Sequence, residues 1–545
     1  MALCLVGSEM CIRDRHIAMP AVITDQFRIS NAETFVQSFV GVGTTANYYY
    51  TFLAHPNPQG LYNEVENYGT GTWNTIPPSP KDSFEQEYSY HDSMLFLKKV
   101  GVEDVTRIIP RYDWQNGSTY DMYKHNYDIN NPTSQLNSKT LYEGKYVVVN
   151  SEYKVYLCIN NGSEPENEKG KKSLVEPNFV STIPQAASVN AQDGYLWKYL
   201  YTISPAEVIK FATDDYIPLP KNWGDPSTIT VKNAAVDGAL QTIVITNRGS
   251  NYQLSDGTTI RVPVYGNGSG GEATITIANG EVSTAVITSS GTGYTRAFIR
   301  VQSGVEGLNT DASGDAIEAT SGTGATFEVP CPPKGGHGDD IYRELGAHRI
   351  MVYSKYDSDP DYIIGNNFAR VGIIKNPTIY GSDTVRLNTG NATALGALKL
   401  VTPATTSTDN YVVNSKITQT VGVGSTAVAY VGAYSRVTNV LRYFQPAGLS
   451  TSATYGYKVL PFSNAVGVDT SIVPSAGPTL PLDTSYTGSS ETISGKVIQY
   501  GQQFTNGIAP PDIQKYSGEI IYVDNRAPIT RSTSQKEELK IVVEF

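Results

Sequence analysis

The residues with the clearest capacity for chemistry are His337-Gly338-Asp339-Asp340, followed by Glu344 and His348. Two imidazoles and three carboxylates this close together supply the ligand types of a divalent-cation site if the loop folds back. Zinc sites, however, pair their ligands at tighter spacing than this. The competing reading is structural: Gly335-Gly336 makes a turn, Asp340 caps a short helix holding Arg343 and Glu344, and a histidine sits at each end. The spacing favours the capped turn, so no metal-ligating residue is assigned. Gly266-x-Gly268-x-x-Gly271 fits the dinucleotide fingerprint as a string. It lies between two strand-like runs, whereas a phosphate cradle needs a strand followed by a helix N-terminus, so it reads as a hairpin loop. Gly41-x-Gly43 fails for the reverse reason, with a helix before it and a strand after. There is no Walker loop, no Gly-x-Ser-x-Gly elbow, no His-Glu-x-x-His and no Cys-x-x-Cys. A carboxylate pair for glycoside hydrolysis is a spatial arrangement, and nothing in the sequence nominates one. The expectation is a non-enzyme with no catalytic, cofactor-binding or metal residues and no cofactor.

Composition points to the scaffold. The chain has 545 residues with 49 Gly, 30 Pro and 37 Tyr but only 17% charged residues, which describes a mostly β, multidomain chain with a few helices. The net charge of -11 is spread thinly, and nucleic acid and membrane are not expected partners. The longest basic cluster, Lys169-Gly170-Lys171-Lys172, follows Glu164, Glu166 and Glu168 and reads as a solvated loop. No apolar run reaches about 18 residues. Cys158 and Cys331 stand as singles, the usage of a reducing compartment. Residues 1–18 look like a non-native leader, with Cys4, Cys11 and Arg13-Asp14-Arg15 where a signal peptide would have its cleavage site, and Met19 is the expected start.

The elements follow from periodicity. Asn31 is placed to cap a helix with Phe35, Val36, Phe39 and Val40 on one stripe, and residues 48–53 read as a strand. A second helix is expected from Asp82, with Glu85 in capping-box spacing and Phe84, Tyr88, His91 and Leu95 on one face. His91 there reads as a core-edge aromatic. Residues 105–109 and 146–159 are apolar strands, separated by a long loop at 115–139. Its Tyr120, Tyr123 and Tyr127 either offer contact area to a partner or pack back on their own domain. Residues 195–203 form a strand, and Ser204-Pro205 starts a helix. From 227 to 330 the chain turns Gly/Thr/Ser-rich and repeats: residues 245–252, ending in Tyr252, recur as 287–294, ending in Tyr294, and 272–277 recur loosely as 325–329. Asn279-Gly280 is a type I′ hairpin signal. Such a two-repeat module has each repeat cover the other's apolar face. Residues 416–444 have the spacing of a small sheet or barrel. At the end of the chain, residues 519–523 and 538–545 read as strands separated by turn residues Asp524-Asn525-Arg526, and their apolar face needs covering by the N-terminal third.

Five stretches, in chain order, carry a resemblance: residues 25–38 (DQFRISNAETFVQS), 105–114 (VTRIIPRYDW), 193–203 (DGYLWKYLYTI), 368–377 (FARVGIIKNP) and 517–529 (SGEIIYVDNRAPI). Together they resemble the baseplate wedge protein family called gene product eight in T-even-type contractile-tailed bacteriophages. The resemblance covers residues 25–220, about 331–385 and 502–545, and leaves two β insertions outside it. The domain organisation it implies is a leader at 1–18, frame at 19–226, a repeat module at 227–330, frame at 331–388, a second β-rich insertion at 389–501 and closing strands at 502–545. It further implies a virion protein of the tail baseplate, assembled in the host bacterial cytoplasm. Such a protein is a homodimer that joins the wedge proteins numbered six, seven, ten and fifty-three in that family and takes part in the rearrangement triggering sheath contraction. Trp114 and Trp197 are then either interface anchors or core residues. Two other functions compete: a receptor- or glycan-binding tail protein using the repeat module through Tyr252 and Tyr294, and an envelope hydrolase.

Overall fold

The computed structural model describes residues 23–40, 46–55, 73, 75–301, 322–357, 367–402, 410–446, 459–532 and 535–545. The expected leader, Met19 and the Gly41-x-Gly43 pattern lie outside them. The fold is mostly β with a few short helices. Among the described residues no helix is long and apolar enough to cross a membrane. The chain divides into two compact units, one of residues 1–35, 106–351 and 542–545 and the other of 36–105 and 352–541.

The first unit is built on a three-stranded antiparallel meander, Val147–Val149, Lys154–Asn161 and Tyr195–Thr202. Residues 146–159, expected as one strand, are two. Asn150 breaks the run, because its Oδ1 accepts from the N–H groups of Glu152 and Lys154 at 2.9 and 2.8 Å and holds a turn in which Tyr153 adopts φ 58°. Val148, Tyr156, Leu157, Trp197 and Leu200 fill the core. Ser204 and Glu207 form a reciprocal capping box on helix Pro205–Phe211, with proline at its start. Strand Val105–Pro110 pairs with Tyr216–Pro218.

The repeat module has its own core, from Leu240 through Cys331. Its first long strand, Val244–Ser250, pairs with its last, Thr323–Glu328, so the module closes on itself where the chain enters and leaves it. Strands Ser269–Ala278 and Glu281–Thr292 form the hairpin at Asn279-Gly280, whose φ values of 53° and 72° fit a type I′ turn. The repeats are equivalent in detail. A Cβ on Gly249 would lie 2.6 Å from Ala325 N and 2.8 Å from the Tyr252 ring, and one on Gly291 would lie 2.6 Å from Gly271 N and 2.7 Å from the Tyr294 ring. Each tyrosine hydroxyl accepts from the matching backbone N–H, Ala325 at 3.3 Å and Gly271 at 3.1 Å.

The second unit holds a five-stranded antiparallel sheet in the order Asn391–Thr393, Met94–Val100, Tyr49–Ala54, Asn367–Lys375, Glu519–Thr530. Every residue of the central strand Tyr49–Ala54 is buried, and its sequence is apolar or aromatic on both faces except for Thr51, whose hydroxyl bonds Ser354 Oγ at 2.7 Å and Tyr356 OH at 2.8 Å. A seven-stranded sheet runs Leu480–Pro481, Ser471–Pro474, Lys416–Gly422, Ser425–Ser435, Val440–Phe444, Gly396–Lys399, Ile508–Ala509.

Three local expectations are corrected. The first helix spans Asp25–Ser38 and begins with Thr24, whose Oγ1 accepts from Phe27 N at 3.3 Å; Asn31 lies inside it. The second spans Phe84–Ser93, is capped by Ser83 and not Asp82, and ends before Leu95, which belongs to strand Met94–Val100. Its Phe84 and Tyr88 are exposed while Ser89, Tyr90, His91 and Asp92 are buried, so a largely polar face points inward. Asp524-Asn525-Arg526 is no turn: strand Glu519–Thr530 runs through it, accommodated by a register shift opposite Asn367–Lys375. At the terminus, the Phe545 ring lies 5.6 Å from Phe35, so the last residue packs on the opening helix.

Candidate functional site

The His337 cluster folds as a clasp at the base of the repeat module. Asp340 caps the short helix Ile341–Glu344, accepting from Tyr342 N and Arg343 N. The helix delivers Glu344 into the core, where Oε1 lies 2.5 Å from His337 Nδ1 and Oε2 accepts from Gly338 N at 2.7 Å. The Tyr123 ring stands edge-on to His337 at 4.6 Å. Trp223, just before the module, donates from Nε1 to Gly338 O at 2.8 Å, which ties the chain on one side of the insertion to the chain on the other. Lys198 is buried nearby and donates to Thr182 O at 2.9 Å; burial lowers its pKa.

The remaining residues of the cluster have other partners. A Cβ on Gly335 would lie 2.0 Å from Asp339 Oδ2, so this carboxylate lies over the glycine turn. His348 donates from Nδ1 to Gly346 O at 2.8 Å and has Nε2 3.4 Å from Glu544 Oε1. Burial lowers the His348 pKa, while Arg349 and His348 hold the Glu544 carboxyl below its ordinary range against the opposing effect of desolvation. The two histidines therefore serve different carboxylates, and among the described residues no three His, Cys, Asp or Glu side chains converge as a metal ion requires.

Gly268 and Gly271 make room for Tyr294, whose ring would meet a Cβ on Gly268 at 2.4 Å. Tyr252 and Tyr294 are buried with their hydroxyls bonded, so neither can present a face to a glycan. Of the loop tyrosines, Tyr120 and Tyr123 pack back into the core of their own unit, and Tyr127 donates to Met122 O at 2.9 Å. Trp197 is core, stacked on Tyr195 at 5.2 Å, and Trp114 packs against the same core and donates to Ser173 Oγ at 3.0 Å. The basic loop is an ionic network: Glu164 bridges Lys171 at 2.7 Å and Arg248 of the module at 3.1 Å, and Arg248 also bonds Glu166 at 2.7 Å. Cys158 and Cys331 are buried free thiols whose pKa values burial raises.

What the sequence does not mark is a cavity of about 550 Å³ in the second unit. Its walls come from the end of helix Phe84–Ser93 (His91, Asp92), from Tyr380, from Ala394 and Gly396, from the end of strand Val440–Phe444 with Gln445, from the 459–464 segment and from residues 505–515. Asp92 is fully buried and its Oδ1 accepts from Lys515 Nζ at 2.5 Å and Tyr516 OH at 2.7 Å. The Lys515 ammonium also bonds Gln445 O. Burial lowers the Lys515 pKa, an effect Asp92 opposes. His91 is 7% exposed, meets Tyr516 edge to face at 5.9 Å and has no hydrogen-bond partner among the described residues. Burial pushes its pKa down to about 4, so the imidazole is neutral. The lining comes from six separate stretches, and only the odd placement of a histidine on the inward face of a helix could have pointed to it.

No protein-family model matches the chain, and comparison with curated proteins gives no match.

Proposed function

We propose that the chain is a structural subunit of the baseplate wedge of a contractile phage tail, acting as a homodimer. In this reading it joins wedge components in the virion and takes part in the rearrangement that triggers sheath contraction, with no catalytic step of its own. The observation that carries the reading is the colinear set of five stretches resembling the wedge protein eight family. Their positions in the fold support it. Arg107, from the second stretch, lies 3.7 Å from Glu33 of the first, and Arg370, from the fourth, bonds Asn525 of the fifth. Four of the five matched stretches thus contact one another, two within each unit, as parts of a shared frame would. Exposed aliphatic side chains in one loop of the first unit, Val180, Ile183 and Val189, are apolar area of the kind that protein contacts cover.

A subunit of this kind has interfaces of a few thousand Å² repeated around a ring, which make an assembly cooperative and bistable without chemistry. The test is co-expression of the chain with the wedge proteins of the same virus that correspond to numbers six, seven, ten and fifty-three. Co-elution at fixed stoichiometry is expected. Elution of the chain alone in every combination would overturn the reading.

A further inference from the structure

We propose that the cavity beside His91 receives an uncharged aromatic side chain, tyrosine or tryptophan, presented by an extended segment of a partner polypeptide. Its volume of about 550 Å³ lies in the range of ligand pockets, and its walls include Tyr443, Phe444 and Phe462, with Tyr443 and Phe462 edge to face at 4.8 Å. Such walls favour another ring, which adds offset or edge-to-face contacts to its burial. Charge decides against an ionic ligand. Asp92 is committed to Lys515 and Tyr516, and the neutral His91 offers no compensation, so a charged group would enter desolvated and unpaired.

His91 supplies the polar requirement. A neutral imidazole carries one donor and one acceptor, and a phenol O–H or an indole N–H satisfies what the protein leaves open. Two amide side chains in the wall point to a peptide as the source. Gln514 uses Oε1 for Gly381 N at 3.0 Å, and Asn464 uses Nδ2 for Thr505 O and Asn506 O at 3.3 and 3.0 Å. The Gln514 Nε2 donors and the Asn464 Oδ1 acceptor have no partner among the described residues, and they match the C=O and N–H of a main chain. The inference rests on the assembly reading for the origin of the segment, but its test uses no wedge protein, so failure here leaves that reading standing.

The test is nuclear magnetic resonance of the full chain labelled at histidine Cε1, which has 6 histidines, with His91→Phe to assign the signal. The probes are N-acetyl-tyrosinamide, N-acetyl-phenylalaninamide and p-cresol. The tyrosine amide is expected to shift the His91 signal saturably and to bind about fivefold more tightly than the phenylalanine amide, the effect of one net hydrogen bond. It should also bind more tightly than p-cresol, which lacks the main-chain groups. In His91→Phe, followed by protein-observed shifts of aromatic resonances, the tyrosine preference should fall below about twofold. Ala394→Phe, which puts a ring into the cavity from its wall while keeping His91, should abolish binding of all three. A His91 signal unmoved by millimolar tyrosine amide, equal binding of p-cresol, or a tyrosine preference that survives in a folded His91→Phe chain would overturn the proposal. If His91→Phe fails to fold, binding retained in Ala394→Phe overturns it instead.

Discussion

The Arg370 guanidinium, 1% exposed, donates from Nε to Asn525 Oδ1 at 2.8 Å. The same side chain reaches Ser93 Oγ at 3.1 Å and lies 4.8 Å from the centre of the Tyr90 ring, so one buried cation fastens a helix end to two neighbouring strands. Asn525 in turn donates to Pro78 O at 2.9 Å. Asn525→Ala removes a hydrogen bond to a buried charge, and a loss of about 1.5 to 3 kcal/mol is expected. Urea unfolding followed on the second unit reads this directly. The exposed Val423→Ala in the same unit serves as control and should stay within about 0.5 kcal/mol of the parent.

The equivalence of the repeats predicts paired mutational effects. Gly249 and Gly291 have φ of 67° and 58°, and a Cβ on either would lie 2.6 Å from backbone atoms of the partnering strand. Alanine at each adds left-handed strain to a backbone clash, and each substitution should cost more than about 2 kcal/mol. The two losses should agree within about 1 kcal/mol. Gly257→Ala shares the positive φ but meets no atom within 4 Å, so only the strain of about 1 to 2 kcal/mol is expected. Calorimetric unfolding of the three variants tests the comparison.

His91 makes the second unit sensitive to acid. Its pKa falls from an ordinary value of 6.5 to about 4 in the fold, chiefly through burial. Below pH 6.5 the unfolded chain takes up a proton that the folded chain refuses until about pH 4. The stabilising contribution is therefore complete above 6.5 and is lost as pH falls towards 4. From pH 7 to pH 5 the parent should lose about 2 kcal/mol more than His91→Phe, which has no proton to bind there. Denaturation midpoints of both proteins at the two pH values decide it; parallel losses would refute the assignment.

The clasp predicts dependence on Glu344 and independence from metal. Glu344→Ala leaves His337 and Gly338 N, both buried, without their acceptor, at an expected cost of about 3 kcal/mol. Excess chelator should leave the unfolding temperature of the parent unchanged. A drop in that temperature, restored by one divalent ion, would show that the cluster binds metal.

The parts of this fold that were legible in the sequence are those set by neighbours in the chain. Asn279-Gly280 between alternating strands, and Ser204-Pro205 at a helix start, each specify a conformation locally, and both form. Asp340 as a cap is the same kind of signal. Where the sequence misleads, either a tertiary partner overrides local preference or a neighbouring residue caps the helix in place of the expected one. Asn525 sits in turn-like residues, yet Arg370 holds it in a strand. Asn31 has the type of a helix cap, yet Thr24 starts the helix earlier. The loop tyrosines could face either way on sequence grounds, and the core chose. The His91 cavity was illegible because its walls come from six stretches far apart in the chain, and no local pattern records that Lys515 and Tyr516 return to Asp92, the latter across 424 positions.

The central claim is that this chain is a dimeric wedge subunit, and the most direct measurement is its absolute mass in solution by light scattering on a size-exclusion column. The account predicts a stable species of twice the 59.1 kDa chain mass that persists on dilution. A monomer would contradict it, and a trimer would contradict it while pointing to fibre or receptor-binding architecture.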